Sequence, residues 1–109
     1  MSSDHFAQTP EPPYYAVIFA SLRSLGDEGY SEMAEKTVNL AHISPGFLGV
    51  DSARGADGFG ITVSYWRTEE DALRWKENSE HKMAQLLGKQ TWYQDYSLRV
   101  AEVKRSYTK

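Results

Sequence analysis

Residues 65–96 read YWRTEEDALRWKENSEHKMAQLLGKQTWYQDY and hold all three tryptophans of the chain, Trp66, Trp75 and Trp92, together with His81. Thr68-Glu69-Glu70-Asp71 opens a helix: a threonine at the N-cap and an acid at the third helical position satisfy backbone N–H groups that the first turn leaves without partners. Ala72, Trp75, Ser79, Met83, Leu86 and Leu87 then fall on one side of that helix, and Gly88 ends it. Asn78-Ser79 either interrupts the helix or caps a second segment, since both side chains favour helix starts over interiors. In the second case His81 sits in a fresh first turn. On either side lie β-branched and aromatic runs, so the stretch predicts a helix between two strands, 59–67 before it and 92–107 after it.

Working outward toward the N-terminus, residues 53–58 (ARGADG) end in the Asp-Gly dipeptide of a hairpin, and 47–52 is the strand that precedes it. In the strand after the hairpin, Ile61, Val63 and Tyr65 lie on one face and read as core. Thr62, Ser64 and Trp66 lie on the other, a mixed face of the kind that lines a cavity. Residues 27–42 predict a helix with Tyr30, Met33, Ala34, Val38 and Ala41 inward, stopped by Ser44-Pro45-Gly46. Tyr14 to Leu22 (YYAVIFASL) is apolar on both alternating faces, the pattern of a strand buried on both sides. Residues 1–13 carry Pro10, Pro12 and Pro13 and read as a flexible arm, which leaves 14–109 as a single domain.

The order strand–helix–strand–strand–helix–strand is that of an α+β, ferredoxin-like split βαβ fold, an antiparallel sheet with both helices on one face. The other face is apolar and aromatic as well, which predicts a homodimer formed by two such faces. Composition narrows the function classes. A net charge of −3 gives no basic footprint for nucleic acid. There are no cysteines, which excludes disulfides, thiol catalysis and cysteine-ligated zinc. The three histidines, at 5, 42 and 81, show no metal-ligand spacing, and no phosphate-binding loop or dinucleotide fingerprint is present. No apolar run approaches a membrane span, and the N-terminus lacks the regions of a signal peptide, so a soluble cytoplasmic protein is expected.

Tyr65-Trp66, Ala72, Trp75, Glu80-His81, Ala84-Gln85, Gly88, Trp92-Tyr93, Tyr96 and Arg99-Val100, taken with Tyr14 to Phe19 and Pro45-Gly46-Phe47-Leu48-Gly49, form a pattern that resembles the antibiotic biosynthesis monooxygenase family. The likeness runs through nearly the whole chain from residue 14 and looks closest to the small, largely uncharacterised bacterial members. It implies a dimeric α+β barrel, with a pocket in each subunit between sheet and helices and the last strand reaching across the dimer. It also implies cofactor-free oxygenation of a small aromatic or quinol-like compound, in which loss of a proton leaves an anion able to reduce dioxygen. A base working near neutral pH and donors for an oxyanion are then required.

On that reading His81 and Trp66 are the candidate catalytic residues, because an imidazole titrates near neutrality and an indole offers a ring face and an N–H donor. Trp75, Tyr65, Tyr93, Tyr96 and Arg99 are the candidate substrate-binding residues. Five of these seven also have a plainer role. Trp75 shares the apolar helix face and reads first as core, and Trp66 reads as core or cavity wall. Tyr93 and Tyr96 suit an interface, and His81 suits a helix surface or cap. The haem-degrading branch of the family carries its proximal histidine ten residues after the equivalent of Trp75, where this chain has Gln85, and it uses an asparagine on the first strand, where this chain has none. Haem is therefore disfavoured and no cofactor is expected. A non-catalytic dimeric module that binds a hydrophobic metabolite, or serves a stress response, is the alternative to an enzyme.

Overall fold

The computed structural model describes residues 5–23, 30–87 and 93–109, with the side chains among them except those of 30–34, 83–87 and 93–94. The element order is β1 (Tyr14–Arg23), α1 (Tyr30–His42), β2 (Phe47–Arg54), β3 (Phe59–Trp66), α2 (Glu69–Leu87) and β4 (Tyr93–Val103). The strands form one antiparallel sheet in the order β2-β3-β1-β4, the ferredoxin-like arrangement expected from the sequence.

Local chemistry explains most boundaries. Thr68 caps α2 as expected, its Oγ1 accepting from the Asp71 N–H at 3.0 Å. α2 runs unbroken through Asn78 and Ser79, so His81 lies mid-helix and not in a new first turn. Surface pairs support this interior, with Arg74 on Asp71 at 3.1 Å and Lys76 on Glu80 at 3.0 Å. The start expected for α1, at residue 27, and the Gly88 stop of α2 fall outside the described residues. At the other end of α1, the Ser44 N–H donates to the Ala41 carbonyl and Gly46 turns the chain with a φ of 81°. The hairpin is tighter than its sequence suggests. β2 continues to Arg54, and the reversal is made by 55–58, where the Gly55 N–H donates to the Phe59 carbonyl and Asp57 accepts from the Phe59 N–H. β4 ends at Val103, short of the expected Tyr107, and Trp92 lies outside the described residues.

The core is built on one face of the sheet. Val17 of β1, Trp66 of β3, Ala41 of α1 and Ala72 and Trp75 of α2 form a buried cluster, with Tyr15, Leu40, Phe47, Leu98 and Val100 packed around it. Both helices therefore cover the same face. Two expectations change at this level. Val38 is 41% exposed, and α1 turns Leu40 and Ala41 inward. The Ile61–Val63–Tyr65 side of β3, which hydropathy marks as core, faces away from the helices, and Ile61 and Phe59 remain 42% and 49% exposed in the single chain. Alternation identifies two faces of a strand but not the one that the helices cover.

The arm lies against that second face. The Ala7 N–H donates to Asp51 Oδ1 at 2.6 Å, and Thr9 Oγ1 donates to the Tyr14 hydroxyl at 2.9 Å. The Ala7 methyl comes so close to Gly49 that a side chain there would meet it at 2.9 Å. Tyr14, on the same face, is buried.

Candidate functional site

Strand register divides the helix-facing surface into rows of aligned residues. The first row is Phe47, Trp66, Tyr15 and Glu102; the second is Val50, Ser64, Val17 and Val100. The third is Ser52, Thr62, Phe19 and Leu98; the fourth is Arg54, Gly60, Ser21 and Tyr96. Rows one and two carry most of the packed core. Rows three and four are different: three hydroxyl side chains, a guanidinium, a phenol and a phenylalanine occupy positions where a helix-covered sheet ordinarily carries aliphatic residues.

These polar groups are organised. Arg54 reaches back across the sheet from edge strand β2. Its Nη2 donates to Ser21 Oγ at 2.7 Å, and its Nη1 donates to the Ser21 carbonyl at 3.3 Å and to the Gly58 carbonyl. Ser21 is only 2% exposed. Ser52 and Thr62 share a hydrogen bond between hydroxyls at 2.7 Å. Phe19 and Tyr96 pack ring to ring, centroids 5.9 Å apart, and Tyr96 stays 37% exposed. The surface thus offers a hydroxyl pair, a buried hydroxyl held by a cation and two aromatic rings, which together suit a small planar compound with a polar oxygen.

The residues singled out from the sequence are placed as follows. Trp66 is fully buried, stacked on Trp75 with centroids 5.2 Å apart and planes at 27°, and set edge-on to Phe47. Its indole N–H is used internally, donating to Ser64 Oγ at 2.8 Å. Both tryptophans belong to the packed core around row one, and row two separates Trp66 from the polar rows. Tyr96 lies on row four itself. Tyr65 and Arg99 are on the opposite face of the sheet, at positions paired with Ala16 and Ile18. His81 is exposed on α2. It follows Ala72 by nine residues, about two and a half turns at 100° per residue, so it stands on the side of the helix away from buried Ala72. The side chains of Tyr93 and Gln85 lie outside the described set. Trp66, His81 and Arg99 are therefore not gathered round one cavity. Among the described residues, no three His, Asp or Glu side chains converge as a metal site.

Tyr65 has a structural environment of its own. Its hydroxyl donates to Asp51 Oδ2 at 2.9 Å, and its ring packs edge-on against Tyr14. Burial, followed by the bond to the Asp51 carboxylate and that carboxylate's charge, pushes its pKa up to about 12 from 10.0. The neutral phenol is thus favoured in the folded state. The stability this confers is complete below the unfolded value and is lost as pH rises through the window between the two. Tyr65→Phe is expected to flatten the fall in stability between pH 10.0 and about 12, read by urea unfolding across that range. An equally steep fall in the variant would refute the assignment.

Ser21, Arg54 and Ser52 were not singled out from the sequence. Ser21 sits within an apolar run, and its partner Arg54 is 33 residues away at the start of a turn. The available signal was period-two alternation: Gly60, Thr62 and Ser64 share the side of β3 that carries Trp66.

No family model matches the chain. It is 53% identical over 102 residues to the uncharacterized protein YqjZ of Bacillus subtilis, a match covering 94% of this chain and 90% of YqjZ. A stretch of 49 residues, 45% of the chain, is 39% identical to the jasmonate monooxygenase ABM of Pyricularia oryzae and spans 23% of that protein. Among solved structures, a Nitrosomonas europaea protein assigned to the antibiotic biosynthesis monooxygenases matches with a TM-score of 0.62 at 15% identity, over 88% of this chain and 94% of its own. MhuD, a heme-degrader of Mycobacterium tuberculosis solved with two hemes in its active site, matches with a TM-score of 0.54 at 22% identity, over 86% and 99%. At those identities the structural matches speak for the fold. With a relative at 53% identity along almost its whole length, the chain belongs to one family with YqjZ, and it shares the ferredoxin-like fold of solved antibiotic biosynthesis monooxygenases.

Proposed function

We propose that the chain is a monooxygenase that orients a small aromatic or quinol-like compound on rows three and four of the helix-facing sheet, for reaction with dioxygen without a cofactor. The observation that carries this reading is the concentration of Ser21, Ser52, Arg54, Thr62 and Tyr96 on a surface walled by Phe19 and Leu98. The fold shared with antibiotic biosynthesis monooxygenases suggests the reaction class, and the partial likeness to a jasmonate monooxygenase supports it.

Loss of a proton from a phenol or an activated methylene gives an anion that reduces dioxygen. For a methylene of the anthrone type, one oxygen atom stays as the new carbonyl and the other leaves as water with both methylene hydrogens. Rows three and four carry no carboxylate or imidazole. Their part in proton loss is to stabilise the anion. A phenol of pKa about 10 held by donors and a cation is acidified by one unit for each ~1.4 kcal/mol of preferential binding to its anion, and the proton passes to water. The Ser52–Thr62 pair always has one hydroxyl proton left to give, since only one of the two is used in their mutual bond. Phe19 and Tyr96 supply ring contacts for a planar substrate.

We also infer that two copies pair through the part of the sheet's second face that bears exposed Ile61 and Phe59 and half-buried Ile18, beside the arm, which removes exposed apolar surface from water. The reading is tested with an oxygen electrode and a panel of anthrones, quinols and simple phenols, using a preparation whose sedimentation mass is expected to be that of two chains. Wild type is expected to take up one dioxygen per product. His81→Ala is expected to change the rate by less than about threefold, whereas a true general base contributes about 10²–10⁴-fold. A large loss in His81→Ala would return the imidazole to the mechanism and overturn the donor-based account. Saturable binding with no oxygen uptake across the panel would leave a binding module in place of an enzyme. A single-chain mass at micromolar concentration would remove the paired copy.

A further inference from the structure

We propose that Arg99 and Asp95 of β4 fix how two copies meet: each copy's Arg99 bonds the other copy's Asp95 across the second face of the sheet. This contact rests on the pairing of two copies through that face, inferred above, and it sets the register of the pair.

Strand alternation puts Asp95, Ser97, Arg99 and Ala101 on the side away from the helices, paired with Leu22, Ala20, Ile18 and Ala16 of β1. Those rows continue into β3 with Ile61 beside Ala20 and Val63 beside Ile18, and into β2 with Asp51 beside Val63. Among the described strand residues, the charged side chains on this face are Asp51, Asp95 and Arg99. Asp51 is already engaged beneath the arm, one oxygen accepting from the Ala7 N–H and the other from the Tyr65 hydroxyl. Arg99 and Asp95 are both exposed. The open region beside them is apolar and bears Ile61 and Phe59. An arginine covered there by a second copy loses much of its water, and a charge buried without a partner is costly. The second copy must therefore bring a carboxylate to it.

The pattern along β4 supplies one. Asp95 and Arg99 flank Ser97 symmetrically on one face of one strand. A two-fold axis perpendicular to the strands and over the row of Ile61, Ala20 and Ser97 reverses the strand direction. It brings the second copy's Asp95 level with the first copy's Arg99, and symmetry forms the reciprocal pair. Sheets packed face to face stand about 10 Å apart, a gap that an extended arginine and an aspartate span together. An axis along the strands would instead set Arg99 over the second copy's Asp51, whose oxygens both already accept bonds. The first arrangement uses the carboxylate that the arm leaves open.

The test reads the mass of the full-length protein by sedimentation equilibrium over a range of concentrations. Wild type is expected to be a dimer at micromolar concentration. Arg99→Asp and Asp95→Arg each set like charges across the interface twice, and each is expected to raise the dissociation constant at least about 100-fold. The double variant exchanges the charges and keeps the pairs, so it is expected to return the constant to within about tenfold of wild type. Circular dichroism is expected to show all four proteins folded, since both side chains are exposed in the single chain. A double variant no tighter than the single ones, or a dimer indifferent to either single change, would overturn the contact and leave the pairing of the faces in place. So would rescue of Arg99→Asp by Asp51→Arg and not by Asp95→Arg, which would mark the other axis. A single-chain mass for wild type would remove the pairing itself, and the contact with it.

Discussion

Trp66→Ala is expected to lower the stability of the folded chain by about 3–5 kcal/mol, the range for deleting a large aromatic side chain from a packed core. Trp66 is fully buried and holds three things together: the Trp75 ring of α2 at 5.2 Å, the Phe47 ring of β2 at 5.5 Å and Ser64 Oγ through its indole N–H. Truncation opens a cavity between sheet and helix and strips Ser64, itself 5% exposed, of its bonding partner. Since whole domains are stable by only about 5–15 kcal/mol, the loss is a large share of the total, and the variant is expected to unfold at a much lower urea concentration. Trp66→Phe refills much of the space but has no N–H, and it is expected to fall between the two. Urea unfolding followed by circular dichroism measures all three proteins. A cost below about 1 kcal/mol for the alanine variant would mean that the core collapses around the gap, contrary to the close packing inferred here.

The second large effect is expected at the turn between α1 and β2. Gly46 has a φ of 81°, and its carbonyl accepts from the Arg67 N–H at 2.8 Å, tying the start of β2 to the end of β3. In Gly46→Ala the new methyl would sit 2.0 Å from Asp71 Oδ2 and 2.4 Å from its Cγ. Two terms add: about 1–2 kcal/mol for an L-residue in the left-handed region, and the displacement of Asp71 from the first turn of α2, with loss of its bond to Arg74 and its favourable charge at the helix N-terminus. A total of about 2–4 kcal/mol is expected, on the scale of strain plus overpacking. In an Asp71→Ala background the carboxyl clash is absent and only the contact with the Cβ of residue 71, at 2.8 Å, remains, so the cost of the glycine substitution should shrink toward the backbone term plus that contact. An equal cost in both backgrounds would rule out Asp71 as the obstacle.

These two sites show how far the sequence can be read. Gly46 was legible as a stop, because Ser-Pro-Gly after an apolar periodic run has few other meanings; its contact with Asp71, 25 residues on, was not. Thr68 was legible as a cap for the same local reason, and the cap forms as expected. Trp66 left two readings open, cavity wall or core, and only packing chooses between them. His81 turned on whether α2 breaks at Asn78-Ser79. The helix continues because Trp75 and Ala72 are already anchored in the core and side-chain pairs such as Lys76–Glu80 span the polar stretch, so tertiary burial outweighs the weak helix preference of Asn and Ser. His81 is thereby carried to the outer side. Tyr65 and Arg99 are separated from Tyr96 by strand alternation, which turns neighbouring residues to opposite faces once the register is known.

Periodicity, caps and turn residues act over a few positions, and for that reason the sequence by itself determined the order of elements and the α+β class, and a pattern of aromatic and glycine positions pointed to the fold of the antibiotic biosynthesis monooxygenases. What the helices cover is decided by contacts between residues far apart in the chain. Only the tertiary structure showed that the Trp66 side of β3 is the covered one, that the arm lies across the other face, and that Arg54 reaches across the sheet to Ser21. A guanidinium and a hydroxyl separated by 33 residues meet because strand register and a two-sided sheet place them in one row, and nothing local to either residue states that register.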